Sequence, residues 1–178
     1  MASTAEQLKQ EALELFRAGD YSRALERFQQ AHQAFAQDGQ TLDAAEMLNN
    51  IGVIHRLEGR LGEAASFLEQ AREAFAQAGD REREAQALGN LALIYSKQGQ
   101  KAKAQETYRQ AADIFQELGD NDRQGETLMA MGILLFEEGK RSAGLKAYET
   151  GLLLLSHPTP KQKRLRMLLK LRQRLMGG

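Results

Sequence analysis

Apolar residues recur along this chain at the spacing of an amphipathic helix, and the pattern of apolar and polar positions repeats every 40 residues. A glycine stands near the middle of each repeat, between an upstream leucine and a large downstream residue. The glycines are Gly19, Gly59, Gly99 and Gly139, the leucines are Leu8, Leu48, Leu88 and Leu128, and the large residues are Phe28, Leu68, Tyr108 and Tyr148. Because residues three and four apart share one helix face, each repeat predicts two amphipathic helices around a tight turn.

Small residues and further glycines mark helix contacts and helix ends. The small residues stand at Ala12, Gly52, Ala92 and Gly132, and at Ala24, Ala64, Ala104 and Gly144. Gly39, Gly79 and Gly119 predict the end of each second helix, since glycine takes the left-handed conformation found there. Asp80 and Asp120 are placed to cap the following helix. Four repeats are expected, at about 5–44, 45–84, 85–124 and 125–157.

The pattern resembles the tetratricopeptide repeat (TPR) family. The family signature is fullest in Asn-Ile-Gly-Val-Ile-His…Glu-Gly-Arg at 50–60 and Asn-Leu-Ala-Leu-Ile-Tyr…Gln-Gly-Gln at 90–100. The chain departs from the family in its repeat length, since the usual unit has about 34 residues, and in glycine turns that replace the usual proline. The resemblance implies an all-α, right-handed superhelical solenoid of four repeats plus a C-terminal capping helix. Its first helices would line a concave groove that holds a peptide or helix of a partner protein.

The outward positions of those first helices are the candidates for partner binding. The polar candidates are Asn49, Asn50 and Asn90, the apolar candidates are Leu13, Val53, Leu93 and Ile133, and the basic candidates are Arg17, Arg56 and Lys97. Asparagine side chains can bond the main chain of an extended peptide. The apolar row would take ligand side chains, and the cations would favour acidic ones. Two alternatives stay open: the asparagines bond backbone in a neighbouring repeat, and the aliphatic residues belong to the core.

One TPR subfamily, the chaperone-binding domains, grips a C-terminal carboxylate with lysine, arginine and asparagine side chains. Lys9 and Asn50 match that motif. Leu13, Gln86 and Asn90 stand where Asn, Lys and Arg or Lys are expected. Because most of the motif is missing, we expect that a free carboxylate is not the main handle for the ligand.

The charge is divided unevenly along the chain. The whole sequence has 24 basic and 24 acidic residues, with 17 basic and 24 acidic up to residue 157, and seven basic and none acidic after it. The segment 158–178 follows two prolines and predicts a basic amphipathic helix with Leu165, Leu168, Leu169 and Leu171 on its apolar side. Such a helix caps the last repeat, or docks on anionic lipid or an acidic partner. A single short basic segment disfavours nucleic acid.

Composition bears on location and chemistry. The 178 residues include no cysteine and no long apolar stretch, which favours a cytoplasmic protein, free or peripheral at a membrane surface. His32, His55 and His157 occupy unrelated positions of the repeat, and His55 is predicted to pack between helices. No catalytic constellation, phosphate loop, metal site or cofactor site is predicted.

The sequence therefore predicts a non-catalytic adaptor or assembly factor. The alternative is a peripheral membrane or homo-oligomerisation module that acts through the basic helix.

The two ends of the repeat array differ from its middle. Glu11 and Glu14 replace apolar core residues in the first repeat, which predicts a solvated end face, and Ser3 and Glu6 have the spacing of a capping box. In the last repeat, Gly144 and Gly151 should each cost about 1 kcal/mol of helix stability relative to alanine. A C-terminal helix joined by a proline hinge could be exchanged between two chains, which would give a homodimer.

Overall fold

The helices predicted from the repeat are present in the computed structural model, which describes residues 4–176 and side chains as far as Leu169. Over that range the chain forms nine α-helices and no strand. They are α1 Ala5–Arg17, α2 Tyr21–Gln37, α3 Thr41–Leu57, α4 Leu61–Gln77, α5 Arg81–Lys97, α6 Lys101–Glu117, α7 Asn121–Glu137, α8 Arg141–Leu154 and α9 Pro160–Met176. The sequence-based divisions at 44/45, 84/85 and 124/125 fall inside α3, α5 and α7. The helix α9 lies within the predicted segment 158–178 and begins two residues after its start.

The turns between helices have one conformation. Gly19, Gly39, Gly59, Gly79, Gly99, Gly119 and Gly139 all have φ between 71° and 79°. This left-handed backbone ends each preceding helix and confirms the role predicted for these glycines. Asp80 and Asp120 cap α5 and α7 as predicted, by accepting a bond from the backbone of Arg83 and Arg123. The capping box at the start of α1 is formed by Thr4 and Gln7, so the pairing predicted for Ser3 and Glu6 is wrong, and Ser3 itself lies outside the described residues.

The chain divides into two units, residues up to Gly99 and residues from Gln100. In the first unit each helix packs on the next, and α3 also contacts α5. Its core alternates small and large side chains, with Ala24, Phe28, Ala64 and Leu68 all fully buried. The small positions therefore do mark close helix approaches, as predicted.

In the second unit, α6 packs on α7, α7 on α8, and α8 on α9. The helices α7 and α8 approach so closely that a Cβ on Gly144 would lie 2.8 Å from the carbonyl oxygen of Gly132. A Cβ on Gly151 would likewise collide with the carbonyl of Gly125. The expectation that these glycines weaken α8 relative to alanine is wrong, because alanine does not fit between the two backbones.

The helix α9 covers the end of α8. Arg166 donates hydrogen bonds to the carbonyl oxygens of Leu155 and Leu153, at 2.9 and 3.0 Å, and Leu169 packs against Leu152 and Leu155. The side chain of Leu171, predicted on the same apolar side, lies outside the described residues. Within the described range no helix is both long and apolar enough to cross a membrane. Exchange of α9 between chains stays a prediction.

Candidate functional site

A chain of charged side chains links α1, α3 and α5. The Lys9 ammonium lies 3.1 Å from a carboxylate oxygen of Glu46, and the Arg83 guanidinium lies 3.7 Å from the same oxygen. Arg83 also lies 3.5 Å from Asp80 and above the ring of Phe75. Because one carboxylate serves cations from both neighbouring helices, these contacts define a shared face of α1, α3 and α5, here called the first-helix face.

A polar cavity opens on this face between α3 and α5. Its volume is about 330 Å³. The cavity is lined by Glu46, Asn49, Asn50, Phe75, Asp80, Glu82, Arg83 and Gln86. Seven of these side chains are polar or charged, so the cavity suits a ligand that makes hydrogen bonds rather than a purely apolar one.

Three buried polar atoms on α3 have no hydrogen-bond partner among the described residues. They are the side-chain oxygen Oδ1 of Asn49, the Nδ1 of His55 and the Nε of Arg56. A buried acceptor or donor left without a partner costs roughly 1–3 kcal/mol. Asn49 and Arg56 are seven residues apart, which puts them on one side of the helix about 10 Å from each other. An acceptor and a donor are therefore held ready along α3.

The structure brings some predicted site residues together and leaves others apart. Asn49 and Asn50 line the same cavity, whereas Asn90 is half-buried one turn beyond Gln86 and does not line it. Gly89, beside Asn90, leaves open space, because a Cβ built there meets no atom within 4 Å. The two asparagines that line the cavity are therefore both on α3.

The predicted apolar row is only partly buried. Leu13, Val53 and Leu93 are half-buried, and Leu13 packs against the core formed by the first three helices. Ile133 belongs to the second unit, where 51 % of it is exposed. The row is therefore neither a fully buried core row nor a fully exposed stripe.

The predicted basic residues lie in the last turns of their helices. Arg17 and Lys97 are exposed at the ends of α1 and α5, and Arg56 is half-buried at the end of α3. Cations at this place interact favourably with the helix dipole. They would also attract an acidic group on a ligand.

The main residues missed from the sequence are Glu46 and Arg83. Glu46 stands four residues before Asn50, and Glu6, Gln86 and Glu126 occupy the same position in the other repeats. Because residues four apart share a helix face, this spacing could have placed Glu46 on the face that carries Asn50. Arg83 gives a weaker signal, because it follows the cap residue Asp80 and the sequence alone assigns it to that local contact. Its bond to Glu46 depends on how α3 and α5 pack.

The histidines lie in separate environments. His55 is 5 % exposed, and its ring stacks on Phe67 at a centroid distance of 5.2 Å, as the packing prediction requires. Burial, and then the nearby charge of Arg60, lowers the pKa of His55. His32 donates from Nδ1 to the carbonyl of Ala44, and His157 contacts Ser156. Within residues 4–176, no group of three or more His, Cys, Asp or Glu side chains has the arrangement of a metal site.

A family profile described as tetratricopeptide repeat matches the chain in three overlapping stretches, residues 10–77, 43–117 and 83–152. Together they span most of the 178 residues. No curated protein matches the chain significantly.

Several solved structures share the fold. BtubC (BKLC) from P. vanneervenii is 20 % identical with a TM-score of 0.77, and the match covers 88 % of this chain and 66 % of BtubC. The apo form of RapI is 12 % identical with a TM-score of 0.78, covering 85 % of this chain and 42 % of RapI. MamA is 18 % identical with a TM-score of 0.66, covering 91 % of this chain and 81 % of MamA. At these identities the likeness shows the fold alone, and the chain spans less than two thirds of the length of BtubC and of RapI.

Proposed function

The chain belongs to the tetratricopeptide repeat family, and from that premise we propose that it is a non-catalytic adaptor or assembly factor that binds an extended segment of another protein on the first-helix face. The observation that carries this proposal is the unpaired Asn49 Oδ1, buried beside Asn50 in a polar cavity. A main-chain N–H of a ligand would satisfy this acceptor, whatever side chains the ligand has.

The rest of α3 suggests how the segment continues. Val53 lies between the asparagines and Arg56, so the helix offers an acceptor, then an apolar surface, then a donor. An acidic or carbonyl group on the ligand would satisfy the Arg56 Nε. Leu13 and Leu93 would take apolar side chains, and Asn90, Arg17 and Lys97 would extend the polar and basic contacts. Ile133 belongs to the second unit and would take an apolar side chain there.

The occupied state of Lys9 supports a main-chain handle rather than a terminal carboxylate. Its side chain is only 15 % exposed and its ammonium contacts Glu46. A ligand carboxylate would have to displace that internal partner, which offsets the gain of a new ion pair. We expect an amidated ligand to bind about as well as its free-acid form.

We expect the protein to act in the cytoplasm.

Site-directed photocrosslinking tests the proposal. A benzophenone amino acid replaces Gln86, which lines the cavity, or Gln29, which is exposed on α2 and serves as the control position. Each protein is irradiated in native lysate, and the crosslinked segment is identified by mass spectrometry. We expect one partner segment from position 86 and none from position 29.

The same crosslink should depend on the asparagines. Asn49→Ala/Asn50→Ala is expected to reduce capture at position 86 by at least about tenfold, the effect of losing one or two hydrogen bonds. Its melting temperature should not fall, because the Asn49 acceptor has no internal partner to lose. The control Gln29→Ala/Gln33→Ala should capture normally. Equal capture by a folded Asn49→Ala/Asn50→Ala protein would contradict the proposal.

A further inference from the structure

The helix α9 is attached to its own unit by one side only. Arg166 bonds the last carbonyl groups of α8, and Leu169 is buried against Leu152 and Leu155. These two contacts fix the rotation of α9 about its axis. The side chains on the opposite side are therefore held facing away from α8.

That opposite side combines apolar and basic residues. Met167 is 66 % exposed and Leu168 57 %. Leu165, one turn before the buried Leu169, lies at the edge of this side and is 37 % exposed. Lys161, Lys163 and Arg164 are exposed between and beside them, and none has a carboxylate within ion-pair distance in the described part of the chain. Leu165, Leu168, Lys161 and Arg164 share one stripe at the i, i+3, i+4, i+7 spacing. We call the six side chains the outer face of α9.

We propose that the outer face of α9 binds an anionic lipid bilayer surface. Met167, Leu168 and Leu165 enter the boundary between headgroups and acyl chains, and Lys161, Lys163 and Arg164 contact acidic headgroups. Interfacial helices combine apolar side chains with lysine and arginine, and on α9 the two kinds of residue are interleaved on one exposed side. An acidic protein surface would pair the cations but would have to supply a matching apolar cleft for three flexible side chains, whereas a bilayer accepts them without one.

The charge of the remaining chain gives this contact an orientation. Up to residue 157 acidic residues outnumber basic ones by 24 to 17, while the segment after it has seven basic residues and no acidic one. An anionic membrane attracts the basic segment and repels the rest of the chain. The protein would therefore approach the bilayer with α9 first.

Vesicle flotation tests the inference with two lipid compositions, phosphatidylcholine alone and phosphatidylcholine with about 30 % phosphatidylserine. We expect the full chain to float with the anionic vesicles and to remain unbound with the neutral ones. Binding should weaken as salt is raised, because part of the attraction is electrostatic. The variant Arg164→Ser/Met167→Ser/Leu168→Ser should bind at least about tenfold more weakly. The matched control Leu145→Ser/Lys146→Ser changes an exposed apolar–basic pair on α8 and should bind as the wild type does.

A fluorescence measurement gives an independent readout. The chain has no tryptophan, so Met167→Trp introduces a single reporter on the outer face. Its emission should shift to the blue with anionic vesicles, and that of Leu145→Trp should not.

Absence of binding and of a shift overturns the inference, as does equal binding by the outer-face and control variants. Binding to poly-glutamate beads without vesicle binding overturns it in favour of an acidic protein. A dimer abolished by the outer-face substitutions, without vesicle binding, overturns it in favour of a second copy of the chain. No variant used here touches α3 or α5, so this outcome is separate from that for the cavity.

Discussion

His55 is buried, and at the same position of the other repeats stand Leu15, Tyr95 and Leu135. Its ring stacks on Phe67, so the packing of α3 on α4 includes a titratable side chain whose neutral form is favoured by burial. The protonated form is disfavoured by burial first and by Arg60 second. Protonation at this position therefore opposes folding.

We predict that acidification below pH 6.5 destabilises the protein through His55. The folded pKa is lower than the unfolded value of 6.5, so the unfolded chain binds the proton first. The stabilisation is complete above pH 6.5 and is lost as the pH falls through the folded pKa. Thermal melts between about pH 7.5 and pH 5.5, above the range where carboxylates titrate, measure the effect.

The variant His55→Leu carries the residue of the first and fourth repeats and cannot be protonated. We expect its melting temperature to vary less with pH over the same range than that of the wild type. Parallel pH profiles for the two proteins would show that His55 does not contribute. The other two histidines are present in both proteins, so they cancel in the comparison.

Glycine substitutions distinguish close packing from open space. Gly151→Ala should lower the free energy of unfolding by about 1–3 kcal/mol, because the added methyl group collides with the backbone of α7 at Gly125. Gly89→Ala should instead raise it by about 1 kcal/mol, because the position is open and alanine favours helix. Urea unfolding of both variants measures the two changes. A stabilising Gly151→Ala would contradict the close approach of α7 and α8.

At the scale of a helix, the residues before α5 and α6 have similar backbone angles, but only the one before α5 makes a side-chain capping bond. Asp80, with φ −79° and ψ 79°, caps α5, whereas Gln100, with φ −81° and ψ 58°, precedes α6 without a side-chain cap bond. Because the backbone angles are similar, an aspartate at 100 can accept the same bond. Lys103 would then stand where Arg83 stands relative to Asp80.

Gln100→Asp should therefore raise the free energy of unfolding by about 1 kcal/mol. The gain comes from a capping bond to the backbone N–H of Lys103 and from a negative charge at the helix N-terminus. Gln100→Asn supplies the bond without the charge and should give a smaller gain. Chemical denaturation of the three proteins is the measurement, and a lower stability for the aspartate variant would contradict the capping argument.

The helices and turns could be predicted because they depend on local, repeated signals. The same period places a glycine at every left-handed turn, and an aspartate after Gly79 and Gly119 where a cap is needed. The fit of Gly144 and Gly151 could not be predicted, since helix propensity is a property of one helix and the collision involves two. Single-residue rules therefore gave the wrong sign for these two positions.

For the whole molecule, the repeat register was enough to place Asn49 and Asn50 on one helix face, but not to find their surroundings. The cavity they line also needs Glu46 and Arg83, whose contact joins residues 37 positions apart in sequence. Such a contact follows from the packing of two helices, and a residue's place in the repeat does not reveal it. Whether the asparagines bind a partner remains a prediction.

The uniform turns bear on how such a chain can change over generations. Each described link between successive helices from α1 to α8 is three residues long and has its glycine at the same φ, so one joint can replace another without redirecting the backbone. A duplication or deletion that starts at one joint and ends at the joint one period later adds or removes a complete helix pair. Recombination at two links of the same backbone conformation could thus alter the number of repeats in one genetic event, leaving each remaining helix with its own start and end.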